Sequence, residues 1–593
     1  MSGATRPDNV DPVPSAADAV YPLAFTGPRR TPAASAYLRD PSTALLASFF
    51  EEKGLAALKR EDRDEQWYAD WIAYQADHRL YATVVSPKEY SSIGAEFDLL
   101  RYARFLEVFA YCSPAHGYSL QVSFLGLCAI LTGTNAALKR EAVAALEAGG
   151  LLAFAASERQ HGSDLLANEF TVRDAGDGGL VAGGTKYYIG NANAAAMIAV
   201  LARREGRAGS RRAPPALFVL RPGAAAGFRS ATKIRTLGVR AAFVGAFEIV
   251  DHPLPETDLI ATGRDAWDAA LGAVTLGKFF LGFGSIGICE HALDEATDHL
   301  TRRVLYGKPV IDMPHIRSTV ARAYARLTAM KLYAYRALDY LHAATEADRR
   351  YLLFNAVQKA RVSTEGVKVM ALLSECVGAR GFESDTYFEM ALRDAQLIPG
   401  LEGSTHINLA MAAQFIPGYF ERADPGLSGP ASLAGGGGPV GENSYLMAAR
   451  AVAPETVAFP PYLRAYEPLM SVPNVRLVAG QARAFRLLAG ARRSEGRAPD
   501  TATAIDLGKC VSAVVYAQLV AENCVRLAVP APVVSVIFHL IAEDLSTLGL
   551  ALAAAPGLSA ADRFLARRLV VTPRTVEADW EFVAGRVSGG GRA

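Results

Sequence analysis

One carboxylate stands apart in this 593-residue sequence. In RDAQLIPGLEGSTHINLAMAAQF (393–415), Glu402 lies between Leu401 and Gly403, with no metal-ligand cluster or evident salt-bridge partner beside it and a helix starting just after. Two readings are open for such a residue. It is a surface or capping carboxylate ahead of the helix. Or apolar neighbours such as Ile398, Leu401 and Ile407 shut water away, raise its pKa towards neutrality and suit it to taking a proton. Other chemistries find little support. The six cysteines (112, 128, 289, 376, 510, 524) are scattered, with no CxxC, and read as buried small residues in a reducing compartment rather than a metal or disulfide frame. The glycine run in GLSGPASLAGGGGPVGEN (426–443) is not followed by GK[ST], so it reads as a linker rather than a phosphate loop.

The elements that must position Glu402 follow from periodicity. Residues 1–38, rich in Pro, Ala and Asp, read as a disordered arm without a signal peptide. Residues 39–150 carry apolar positions at helical spacing, as in PSTALLASFFEEKGLAALKRED, and form an N-terminal helical domain. Over 151–262 short β-branched and aromatic runs alternate with Gly, Asp and Asn turns, which predicts a small β domain, a barrel. Helical spacing returns over 263–425 as a four-helix bundle carrying Glu402. After the linker at 426–443, residues 444–593 form an additional helical domain. The expectation is a mainly α chain with an inserted β domain, and a ligand cleft between them.

Bulk properties narrow the partners. Lys plus Arg (61) balances Asp plus Glu (60), which gives no field for nucleic acid. Two apolar runs, 271–289 and 533–555, carry Lys278 and His539, Glu543 and Asp544. Charges that deep are costly in lipid, so both read as core helices of a soluble, cytoplasmic protein with no membrane partner.

Six motifs in order then resemble one family, the FAD-dependent acyl-CoA dehydrogenases and acyl-CoA oxidases. AFAASERQHGSD (153–164) resembles the flavin-side strand T-E-P-x-x-G-S-D, and GGTKYYIGNANAAAMIAVLAR the strand G-x-K-x-x-I-x-N. IRTLGVRAAFVGAFEIVDHPLPETDLI is similar to the segment closing the β domain, RRVLYGKPV to R-x-x-F-G, and CVGARGF to the Gly-rich turn before the catalytic stretch. LEGSTHIN sits where the family has Y-E-G-T. The resemblance implies that Glu402 is the base that takes the proton α to a thioester, with hydride passing from Cβ to flavin N5. It implies that the Glu402 N–H and a flavin ribityl hydroxyl hold the thioester oxygen. Cofactor contacts are implied at Ser157, Ser163, Tyr188, Gly190, Arg303, Tyr306, Gly378 and Ser404, and substrate contacts at Lys278 and Gly403; no metal is implied. Arg303 and Tyr306 match a pair that touches the FAD of a neighbouring subunit, which implies a homodimer or homotetramer.

Departures shape the alternatives. Ala379 replaces a Gly, Glu375 and Pro314 replace Gln residues, Leu401 replaces the Tyr, and Tyr188–Ile189–Gly190 replaces W-I-T. A glycine at 190 opens space near flavin N5, a feature also of oxidases, which use O2 and give H2O2 in place of an electron-transferring flavoprotein. The extra C-terminal domain points the same way. A non-catalytic homologue is a further alternative, whereas a flavin monooxygenase would not need Glu402. The acyl carrier, CoA or a carrier protein, has no motif.

Overall fold

The computed structural model describes residues 18–25, 30–175, 179–205, 213–225, 227–433, 440–448, 452–494 and 500–588. Seven helices come first: α1 Pro32–Tyr37, α2 Pro41–Asp64, α3 Ala69–Asp77, α4 Leu80–Val85, α5 Leu99–Cys112, α6 Pro114–Leu131 and α7 Ala136–Glu147. Their starts follow local chemistry. Thr31, Asp40 and Asp98 each accept a backbone N–H of the first turn, and Pro32, Pro41 and Pro114 open their helices with no N–H to lose. Helix α6 is apolar nearly all round because it is covered on both sides, by the sheet and by the next long helix.

Part of the expected N-terminal arm is ordered. Val20 and Leu23 are buried, the Leu23 N–H donates to Glu290 Oε1 at 2.9 Å, and Phe25 meets Tyr111 edge-on. A few apolar side chains thus anchor a stretch whose average composition hides them. Residues 1–17 and 26–29 of that arm lie outside the described residues.

The central strands are β1 Leu151–Ala155, β2 Thr171–Asp174, β3 Leu180–Gly190, β4 Ala195–Arg204, β5 Pro215–Leu220, β6 Phe228–Lys233, β7 Val244–Leu254 and β8 Leu259–Thr262. They form one sheet in the order β6-β7-β3-β2-β4-β5-β8, with β1 added in parallel to β4. The expected barrel is not closed: β6 pairs with β7 and β8 with β5, and the two ends of the path do not pair with each other among the described strands. Closure would demand strand tilt and register that period-2 patterning does not encode. Helix α6 lies directly on β1, since a Cβ placed at Gly126 falls 2.7 Å from the Ala153 carbonyl oxygen.

Helix α8, Arg264–Arg302, leads to a hairpin, β9 Val304–Leu305 and β10 Lys308–Pro309. Then come α9 Pro314–His342, α10 Tyr351–Val357, a π-helical turn Gln358–Val362, α11 Ser363–Val377, α12 Tyr387–Leu397, α13 Thr405–Gln414 and α14 Ile416–Phe420. The last helices are α15 Pro473–Ser494, α16 Thr501–Arg526, α17 Ala531–Ala554, α18 Ala560–Arg567 and α19 Glu577–Ser588. By length and composition alone α8, α16 and α17 are apolar enough to cross a membrane, and most of each apolar stretch is buried in the fold.

The glycine-rich segment is tied down at both ends. Arg336 donates to Pro430 O at 2.9 Å, Leu433 N to Asp339 at 2.9 Å and Val440 N to Asp98 at 2.6 Å. Residues 434–439 of it lie outside the described residues. Helix α16 then packs on α13 with no gap: a Cβ placed at Gly508 falls 2.3 Å from Leu409 O.

Candidate active site

A single 3₁₀ turn, Ile398–Gly400, hands the chain from α12 to the stretch holding Glu402. Glu402 has φ +49° and Gly403 φ +90°. Left-handed backbone is costly for a residue with a Cβ, and such strain persists only where surrounding bonds over-determine it. Those bonds are present. Lys359 on the π turn donates from Nζ to Ile398 O (2.9 Å) and Pro399 O (3.0 Å), and Thr405 Oγ1 to Pro399 O (3.3 Å). Asn408 Nδ2 donates to Gly403 O (3.0 Å) and Ser404 O (3.1 Å), and Ser404 caps α13 by accepting from Ile407 N.

The carboxyl end of Glu402 is shut off from solvent although the residue as a whole is only half-buried. Among the described residues Oε2 has no hydrogen-bond partner, and Oε1 has one long contact, from Gln121 Nε2 at 3.5 Å. Gln121 gives its closer bond, 2.7 Å, to Gly277 O. Glycine at 277 is needed here, because a Cβ would sit 2.7 Å from Glu402 Oε2 and 2.2 Å from Leu125. Burial raises the Glu402 pKa to about 7 against the opposing pull of the Gln121 bond and of Lys359 and Lys278. Both lysines are themselves pushed down to about 8 by burial, with the Glu402 charge acting the other way. Of the apolar wall expected around Glu402, Ile398 is buried and Leu401 half-buried, but Ile407 is 45% exposed on the outer side of α13. Dryness comes instead from α6 and α8.

Lys278, Glu402, Gly403 and Ser404 are thus gathered at one corner, and Lys278 Nζ donates to the Met411 thioether at 3.7 Å. On the sheet, Ser157 Oγ donates to Tyr187 O at 2.7 Å and its carbonyl accepts from Tyr187 N, so the serine hydroxyl is already engaged. Tyr188 has φ +63° and is 58% exposed. Gly190 does not open space, as expected of it. A Cβ there would fall 2.6 Å from Val122 and 2.8 Å from Tyr118, both on α6, so the missing side chain is filled by the helix. Tyr118 also links this strand end to the base, because burial and then the Glu402 charge hold its hydroxyl above the ordinary tyrosine range. Ser163 is exposed in a bend, and Arg303 and Tyr306 stand out on the β9–β10 hairpin, Tyr306 at 95% exposure. Gly378 ends α11 with φ +67° and open space where a Cβ would be. The pKa of His299 is lowered by burial and then by the charges of Arg303, next to the hairpin, and Arg380, in the Gly378–Phe382 turn. Residues 314, 375 and 379, where the sequence departs from the resemblance, are all exposed.

Gln121, Tyr118 and Lys359 were not among the expected site residues. Gln121 is 281 residues from Glu402 in sequence, and Lys359 stands two residues from another cation, Arg361; nothing in spacing alone marks either. Elsewhere, Glu158, His161 and Glu169 bring ligating atoms within 4.8 Å of one another. Glu158 is committed there to Lys186 and to the N–H groups of Glu169 and Phe170.

Comparison with known proteins agrees with this geometry. The profile "Acyl-CoA dehydrogenase, middle domain" matches residues 153–251, and "Acyl-CoA dehydrogenase, C-terminal domain" matches 265–416, which includes the Glu402 turn. A glutaryl-CoA dehydrogenase from Desulfococcus multivorans is 26% identical over 344 residues, 57% of this chain and 86% of that one. The structure of a glutaryl-CoA dehydrogenase with glutaryl-CoA is similar over 63% of this chain and 93% of its own, at 25% identity and a TM-score of 0.56. Residues 153–416 belong to the acyl-CoA dehydrogenase superfamily. An acyl-CoA dehydrogenase from Bacillus anthracis complexed with FAD matches 94% of this chain and 95% of its own at 17% identity, with a TM-score of 0.73. The C-terminal helices are therefore part of a fold seen elsewhere in the superfamily. Membership makes the protein an oxidoreductase flavoenzyme, in a family that depends on FAD. The residues present fit that group: Gly162 and Gly378 leave backbone open to close approach, and an unpartnered carboxyl waits in a dry corner.

Proposed function

We propose that the protein desaturates an acyl thioester at its α,β bond, with bound FAD and with Glu402 as the base. The observation that carries this reading is the Glu402 carboxyl: enclosed, nearly without hydrogen bonds, and raised to about 7, where a usable fraction is ionised near neutral pH and the carboxylate holds a proton more firmly than an ordinary one. Glu402 Oε2 takes the α proton. The positive charges of Lys278 and Lys359 limit how far burial lifts the base and keep a usable carboxylate fraction near neutral pH. The Glu402 N–H, presented by the left-handed turn, serves the thioester oxygen as charge develops there. Leu125 and Gly277 pack closely at the carboxyl and help keep water from it. FAD, when bound, supplies the two-electron acceptor, and Ser157, Ser163, Tyr188, Gly190, Gly378 and Ser404 are the residues of this chain assigned to hold it. Arg303 and Tyr306 are assigned to a neighbouring subunit's cofactor in a homodimer or homotetramer; the outward-turned Tyr306 supports this.

The argument for an oxidase from space at Gly190 falls away, since Tyr118 and Val122 fill that space. The acyl carrier is CoA in this reading, in line with the curated relatives named for CoA thioesters. The test is anaerobic titration of the FAD-loaded protein with a panel of acyl-CoAs while flavin absorbance is followed. Bleaching by at least one chain length is expected. A yellow protein that no acyl-CoA or acyl-carrier-protein thioester bleaches overturns the proposal.

A further inference from the structure

We infer that Lys359 is a positioning residue for the base: it holds the Ile398–Gly400 turn that sets Glu402, and the C-terminal helices hold Lys359. The inference rests on Glu402 being the base. Its geometry is a chain of contacts. Lys359 is fully buried, and its two hydrogen bonds among the described residues go to the carbonyls of Ile398 and Pro399, four and three residues before Glu402. The turn needs an outside anchor, because its own closure is a single 3.2 Å bond from Leu401 N to Ile398 O.

The anchor itself is set in an unusual element. Residues Gln358–Val362 form a π turn between α10 and α11, a local widening that costs regular hydrogen bonding and is kept where it serves a site. Gln358, fully buried on this turn, has neither its amide nitrogen nor its amide oxygen hydrogen-bonded among the described residues. The turn is held from its far side. Arg361 pairs with Asp544 of α17 and with Glu365 at 3.2 Å, and lies 5.4 Å over the Tyr516 ring of α16. Arg326 of α9 completes the set, reaching Glu365 at 2.6 Å and Asp544 at 3.1 Å. Lys359 and Arg361 are two residues apart, so one short segment grips the base turn with one side chain and the C-terminal helices with the other.

Lys359 therefore acts in two separable ways, by hydrogen-bond donation and by charge. Lys359→Met removes both; Lys359→Gln keeps an N–H donor and removes the charge. In Lys359→Met the maximal rate of flavin bleaching by the best acyl-CoA is expected to fall about 100-fold, the scale of an ångström-level misplacement. Hydrogen exchange of the 398–404 backbone should quicken, and the Glu402 carboxyl, followed by infrared titration, should ionise at higher pH. Lys359→Gln should share the upward titration shift while keeping its high-pH rate within about tenfold of the wild type. A protein bleached by no thioester in its unmodified form refutes the base assignment, not this inference, which the exchange and infrared arms still judge. Unchanged exchange and an unmoved Glu402 titration in Lys359→Met overturn the inference. Should that variant not fold, Lys359→Gln decides by the same titration: an upward shift supports the inference and an unmoved midpoint overturns it.

Discussion

Around Lys331 the helical body keeps its buried charges in a nearly closed set of bonds, whereas around Glu402 it leaves them open. The Lys331 ammonium donates to Glu107 (2.7 Å) and Glu290 (2.5 Å), Tyr335 donates to the second Glu107 oxygen (2.8 Å), and Leu23 N donates to Glu290 (2.9 Å). Burial works against the Lys331 charge, but its two carboxylates outweigh burial and hold it above the ordinary lysine range. At the other site two lysines stand near one carboxylate with no ion pair formed, and both are pushed down to about 8. Both sites are equally dry. What separates them is satisfaction: bonded charges fix an architecture, while an unbonded carboxyl keeps its affinity for a proton free for a substrate.

This contrast can be broken or sharpened by experiment. The largest effect is expected from Glu402→Gln, which keeps the shape, and the yellow FAD-bound protein, but removes the base. Stopped-flow bleaching should slow by about 10²–10⁴-fold, and an undiminished rate would show that another group takes the proton. Lys331→Met should do the reverse. Stranding two buried carboxylates should cost about 3–5 kcal/mol of stability in chemical denaturation, while the folded fraction bleaches at the wild-type rate; a loss of rate without a loss of stability would erase the distinction between the two sites.

The pH dependence is next. A carboxyl whose folded pKa is raised to about 7 is protonated and idle below that value, so bleaching should fall about tenfold per pH unit on the acid side and level off above it. The same shift bears on stability with the opposite sign. Protonated Glu402 is tolerated in its dry corner at low pH, and its contribution is lost as pH rises through 7, a trend that Glu402→Gln should abolish in pH-dependent melting. The smallest effect is expected from Asp544→Asn, which loosens the far side of the π turn: about tenfold or less on the rate, with faster hydrogen exchange at 358–362. Exchange that stays at the wild-type level would detach the C-terminal helices from the site.

Much of this was legible in the residues themselves. The order of motifs located Glu402, and apolar spacing anticipated the helices on either side of a β region. The path of the sheet was not legible, because whether β6 and β8 meet depends on accumulated twist and register between strands that pair across long loops. Nor was the wall of the site. Gln121, Tyr118 and Lys359 are ordinary residues in their own helices and gain meaning only where α6, α8 and the π turn converge. Gly190 was read from its lack of a side chain as a gap; only packing shows that α6 occupies it.

The close seating of α16 on α13 has a practical consequence. With Gly508 pressed against the Leu409 carbonyl, the last quarter of the chain forms the outer wall of the very helix that Glu402 introduces. Cutting the chain at the glycine-rich stretch would not release a compact minimal enzyme; it would strip the backing from its reactive corner and leave an oily groove where a helix had been.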